Sequence, residues 1–101
     1  MLYCIIGEDR ENSLKARLQH RPAHLQRLQE LLDQGRLILA GPMPAIDNED
    51  PGPAGFQGSI IIAEFGSIEE AEDWAEQDPY LTGGVYDRIM VRPFKQVLPA
   101  R

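Results

Sequence analysis

Two polar side chains stand where the sequence pattern asks for apolar ones. After Pro22, the residues Leu25, Leu28, Leu31 and Leu32 define the apolar face of a helix, and His24 lies within it. After Ser67, the residues Ile68, Ala71, Trp74 and Ala75 form a second stripe, and the next position on that stripe is Asp78. At about 100° per residue, both groups fall in the arc that turns toward a core. A buried imidazole and a buried carboxylate are each costly without a partner, so the reading of function depends on whether they find each other. A carboxylate bonded to one ring nitrogen fixes the tautomer and leaves the other nitrogen free to take a proton, which is general acid–base chemistry. The structural alternative is a packed core histidine, with Asp78 as the N-cap of a turn that begins at Pro79.

Other chemistry-bearing residues carry weaker signals. Arg21 suits an anionic substrate group, and equally a surface acid. Tyr80 fits a pocket wall or a packed ring with a wet hydroxyl. Ser59 reads as a strand residue, because no Gly-x-Ser-x-Gly elbow surrounds it. His20 falls at an expected helix break and reads as solvated. Two histidines without a cysteine cluster match no zinc pattern, and no glycine-rich loop sits between a strand and a helix, so neither a metal nor a nucleotide cofactor is expected. Cys4 is the lone cysteine and reads as strand packing.

The elements that must position these groups follow from periodicity and punctuation. Leu2 to Gly7 is a short apolar run that predicts a strand. Arg21-Pro22 interrupts a mixed helical stretch, so the first main helix is expected from Pro22 to near Gly35. Leu37 to Met43 predicts a second strand, 47–55 (DNEDPGPAG) a loop, and Phe56 to Phe65 a third strand. Ser67-Ile68-Glu69-Glu70 is a capping-box pattern opening a helix that Pro79 stops. Val85 to Phe94 completes the set as a fourth strand. The order β-α-β-β-α-β is the split βαβ signature of a ferredoxin-like α+β fold, a four-stranded antiparallel sheet with two helices on one face. The strands are apolar on both sides, so a second copy is expected to cover the bare face as a homodimer.

This topology brings the start of the first helix and the end of the second to one end of the domain, and His24 and Asp78 with them. The ends of strand two (Gly41-Pro42-Met43) and the start of strand three (Ser59) arrive there too. With His24 in the first turn of its helix, the macrodipole would oppose a positive ring while Asp78 favoured one.

Composition bounds the setting. A chain of 101 residues is expected to form one domain, 1–101, and to bury roughly two-thirds of its unfolded surface without staples. Sixteen acids against ten bases give a net charge of −6, which argues against nucleic acid or an anionic membrane as partner. The N-terminal apolar run is short for a signal peptide, no stretch reaches membrane-span length, and a single cysteine fits a reducing cytoplasm.

At the candidate residues the chain takes on a family likeness. Arg21-Pro22-Ala23-His24-Leu25 (RPAHL), Gly35-Arg36-Leu37, Ala40-Gly41-Pro42-Met43-Pro44 (AGPMP), Gly55-Phe56 with Gly58-Ser59, Asp78-Pro79-Tyr80, and Val91 to Lys95 (VRPFK) together resemble the YciI-like (YCII-related) family. The resemblance spans nearly the whole chain, and its motifs are specific in combination. It implies a ferredoxin-like subunit in a dimeric α+β barrel, with a His–Asp pair at His24 and Asp78 as the active site. It also implies kinship with small isomerases and with oxygenases that need neither metal nor flavin.

The expected function is a cofactor-independent lyase or isomerase acting on a small molecule. His24 would move the proton, Asp78 would orient it, Arg21 would hold an anion, and Gly41, Pro42, Ser59 and Tyr80 would shape the pocket. A non-catalytic binding protein, or a structural dimer locked by the same pair, is the alternative.

Overall fold

The structure, a computed structural model, describes residues 1–101. Its elements run β1 (Leu2–Asp9), α1 (Leu14–Asp33), β2 (Leu37–Pro44), a single 3-10 turn (Gly52–Ala54), β3 (Phe56–Glu64), α2 (Ile68–Glu76), α3 (Pro79–Thr82) and β4 (Tyr86–Phe94). The four strands form one sheet in the order β2-β3-β1-β4, with every neighbouring pair antiparallel, which is the ferredoxin-like α+β arrangement. None of the helices is long and apolar enough to cross a membrane.

One helix departs from expectation. α1 does not begin at Pro22. It begins at Leu14 and runs through Pro22 without a break. Proline in a helix interior removes one backbone hydrogen bond and crowds the preceding turn. Here burial outweighs that local cost, because Arg17, His24, Leu28 and Leu31 share one face and are all buried, two turns of it lying before and after the proline. Substituting Pro22→Ala should therefore raise stability by about 1–3 kcal/mol in a urea titration. A loss of stability would mean that the proline's shape, not the burial around it, sets the path of the helix.

Other ends follow local chemistry closely. Gly35 has φ 70°, its N–H donates to Leu32 O at 3.0 Å, and Arg36 N–H donates to Leu31 O at 2.9 Å, a Schellman closure that favours glycine. At the start of α2 the Ser67 hydroxyl accepts from Glu70 N–H at 3.1 Å, while the Glu70 carboxylate accepts from Gly66 N–H at 3.0 Å. The short α3 starts at Pro79, with Asp78 as its N-cap.

The helices cover one sheet face. Tyr3, Ile5, Ile61, Ala63 and Val91 from the strands meet Leu28 and Leu31 of α1 and Ala71 and Ala75 of α2. On the opposite face Cys4, Ile6, Ile60, Ile62 and Met90 are half-buried, and nothing in the subunit packs over them as a layer. Burial pushes the Cys4 thiol up, the reverse of what a reactive thiolate needs.

Candidate active site

The N-terminal half of α1, the end of β2, the start of β3 and α3 enclose a cavity of about 490 Å³. Its chemistry begins with His24, whose Nδ1 lies 2.9 Å from Asp78 Oδ1 and 3.1 Å from Oδ2. Both side chains are buried. A carboxylate can only accept, so Nδ1 carries the proton of this bond, and in the neutral ring Nε2 presents its lone pair. No protein atom bonds Nε2, and His24 lines the cavity.

Asp78 does not reach His24 from the stripe of α2, which ends at Glu76. Extended backbone carries it beyond that helix, where it caps α3 and accepts the Tyr80 N–H on Oδ1 at 2.9 Å. Capping and pairing with His24, which the sequence presents as alternatives, are one arrangement. Tyr80 follows within the same turn and stacks its ring on His24 with centroids 3.9 Å apart and planes 10° apart. The imidazole is held in its plane by a ring and in its tautomer by a carboxylate. His24 sits near the middle of α1, so the macrodipole, which acts in the terminal turns, has no part in this.

A second buried ionic group, missed in the sequence, lies on the same helix face. Arg17 donates from Nε to Asp9 Oδ2 at 2.6 Å and from Nη2 to Asp9 Oδ1 at 2.8 Å. Nη2 also reaches Gly58 O at 2.9 Å and Ser59 Oγ at 2.8 Å. Ser13, the residue before α1, donates its hydroxyl to Asp9 Oδ2 at 2.6 Å instead of capping the helix. Burial pulls the Arg17 pKa down, but the hydrogen bond and charge of Asp9 more than offset it, so the guanidinium stays charged. The signal was present in the period: residues 17, 21 and 24 follow i, i+4, i+7. Starting the helix at Pro22 cut Arg17 from the face it belongs to.

The residue expected to hold an anion, Arg21, and the four expected to shape the pocket, Gly41, Pro42, Ser59 and Tyr80, all line the cavity. Arg21 is exposed at the lip and makes no ion pair. Ser59 is engaged as an acceptor from Arg17. His20 is not at a helix break and is not solvated; it is half-buried with its ring against Gly83. Phe56, also unforeseen, faces the Arg17 guanidinium at 5.2 Å from the ring centroid. No group of three or more His, Cys, Asp or Glu side chains is placed to share a metal ion.

Behind Arg17, the ring of Tyr86 packs on Gly7, where any side chain would collide with it. Its hydroxyl is buried with no hydrogen-bond partner. Burial holds this phenol above its ordinary value of 10.0; the Ser59 hydroxyl, near it but outside hydrogen-bond geometry, and Arg17 pull the other way, while Asp78 and Asp9 push further up. Folded Tyr86 therefore stays protonated where the unfolded chain ionises, so its contribution is intact below about pH 10 and falls as pH rises further. Tyr86→Phe should leave stability at neutral pH within about 1 kcal/mol, since the lost hydroxyl has no partner. The same variant should lessen the alkaline decline in denaturation midpoints between about pH 8 and about pH 11. An unchanged decline would assign it elsewhere.

Comparison with known proteins places this geometry in context. The model of the YCII-related domain matches residues 1–95. Protein YciI of Escherichia coli O6:H1 is 59% identical over 97 residues, covering 96% of this chain and 99% of that protein. An uncharacterized protein of Haemophilus influenzae is 50% identical over the same coverage. Among solved structures, the chain is similar to 5-chloro-2-hydroxyhydroquinone dehydrochlorinase from Burkholderia phenoliruptrix AC1100, solved in complex with 2,5-dihydroxybenzoquinone. That likeness has a TM-score of 0.81 at 28% identity and covers 94% of each chain. The family match runs through every element from β1 to the end of β4, and on it, together with the bacterial relative's identity, the chain belongs to the YCII-related family.

Proposed function

We propose that this protein is a cofactor-independent enzyme that moves a proton on a small ring compound, with His24 as acid–base and Asp78 as its orienting partner. The observation that carries this reading is the 2.9 Å bond from Nδ1 to Asp78, which leaves the unbonded Nε2 as the basic atom of a cavity wall. Ser59 is committed to Arg17 and has no adjacent base, so the site favours proton transfer over attack by a nucleophile.

In an elimination, Nε2 takes a proton from a ring hydroxyl or carbon. The freed electron pair moves through the ring, and a leaving anion departs with its bonding pair. In an isomerisation, Nε2 returns the same proton at another atom. The likeness to a dehydrochlorinase supports the first course and hydroxylated, halogenated rings as substrates. A cavity of about 490 Å³ has room for such a ring.

The reading extends to the assembly and the setting. A second copy covers the apolar row Cys4, Ile6, Ile60, Ile62 and Met90, and the dimer works in the reducing cytoplasm, where Cys4 stays a thiol. Sedimentation should give twice the chain mass.

The test of function is to incubate the native protein with 5-chloro-2-hydroxyhydroquinone and a panel of hydroxylated halogenated rings. Halide release is followed by ion chromatography, and exchange of ring protons in D2O by NMR. Release or exchange above the buffer rate supports the proposal. Tight binding with neither reaction would make this a binding protein.

A further inference from the structure

Arg17 has more donors than the protein uses. A guanidinium carries five N–H groups. The one on Nε and the two on Nη2 are spent on Asp9, Gly58 and Ser59. Nη1 donates to no protein atom, although Arg17 is only 4% exposed. Nη1 is not fully sealed by protein, and Arg17 lines the cavity.

We propose that Arg17 is the oxyanion-binding residue of this site, and that the substrate class is a small ring carrying an ionised or ionisable oxygen, a phenolate or enolate, seated on Nη1. This rests on the proton-transfer role of His24 and deepens it. The proton goes to His24 Nε2, the electron pair it leaves behind collects on the ring oxygen, and Nη1 donates to that oxygen. When the pair returns to the ring, a leaving anion departs or the proton is given back.

Three features fit this role. Asp9 grips the opposite edge of the guanidinium in a fork, so the free edge is aimed before any ligand arrives. Asp9 also balances the charge, so the cavity offers a neutral ion pair with an exposed donor edge. That suits charge developing on a delocalised oxygen better than a permanent dianion. Finally, the His24 ring stacks on Tyr80 while the Arg17 guanidinium lies 4.9 Å from the same ring's centroid, so one side chain spaces base and anion site. Arg21, unpaired at the lip, is one turn further along the helix and would add a longer-range positive field.

The test compares two probes, 2-hydroxy-1,4-benzoquinone, which carries one ionised oxygen at neutral pH, and hydroquinone, which is un-ionised there. Calorimetric titration of the native protein should show at least a tenfold preference for the ionised probe. Arg17→Lys keeps the charge on Asp9 but removes Nη1, and should erase that preference. Should Arg17→Lys fail to fold, the paired change Asp9→Asn with Arg17→Gln supplies a neutral replacement with the same expected loss. A preference retained in either folded variant overturns the assignment, as does failure of the native protein to bind the ionised probe.

His24→Gln separates the two ideas. It should keep the preference while losing turnover. Normal turnover in His24→Gln would defeat the acid–base reading, whereas a preference that survives removal of Nη1 would defeat only the anion site.

Discussion

Replacing His24 with glutamine should lower turnover by about 10²–10⁴-fold, because the group that accepts the proton is gone. Asp78→Asn should cause a loss of the same order by a different route. Asparagine caps a helix about as well as aspartate, so α3 keeps its start and stability should change by no more than about 1 kcal/mol. With its oxygen kept at Oδ1 by the cap, the asparagine amide nitrogen takes the place of Oδ2, 3.1 Å from Nδ1, where its N–H competes for that nitrogen and favours the tautomer with the ring proton on Nε2. The basic atom then points away from the cavity. Asp78→Ala, by contrast, removes cap and partner together and should cost stability as well as rate. Steady-state assays beside urea titrations distinguish the cases. If Asp78→Asn keeps full activity, the 2.9 Å contact is a packing contact and no more.

Asp9→Ala should cost about 3–5 kcal/mol of stability, the largest expected effect of any single change outside the apolar core. Asp9 is the only carboxylate on Arg17, and their side chains are 1% and 5% exposed. Removing it strands a charge among Phe56, Tyr80 and Tyr86, whose rings lie 5.2, 4.9 and 6.0 Å from the guanidinium carbon. It also leaves the Ser13 hydroxyl without its acceptor at the entry to α1. The pair ties the end of β1 to α1, and through Ser59 to β3. Adding Arg17→Met to Asp9→Ala should recover most of the loss, because an apolar side chain of similar length leaves no buried charge. A cost below about 1 kcal/mol for Asp9→Ala would show that cavity water solvates Arg17 well enough to replace the carboxylate.

The order of elements was legible because each rests on neighbours in the chain. Apolar periods mark the strands and helix faces, Ser67 with Glu70 marks the start of α2, and Gly35 marks the end of α1. Pro22 misled for the same reason. It is a local signal against helix, and what overrules it is burial of Arg17, Leu28 and Leu31 against strands and of His24 against α3, all distant in sequence. The error spread: with the helix begun at Pro22, Arg17 lost its place beside Arg21 and His24, and His20 was assigned to a break that does not exist.

Residue types and their periods alone determined that His24 and Asp78 lie at one end of a ferredoxin-like domain, because strand direction and apolar spacing are properties of consecutive residues. Tertiary structure alone decided that they touch across 54 positions of chain, that α3 brings Asp78 there, and that Arg17, gripped by Asp9, lines the same cavity. A hydrogen bond is made or lost within a few tenths of an ångström, and only the packing of whole elements against one another sets distances that fine.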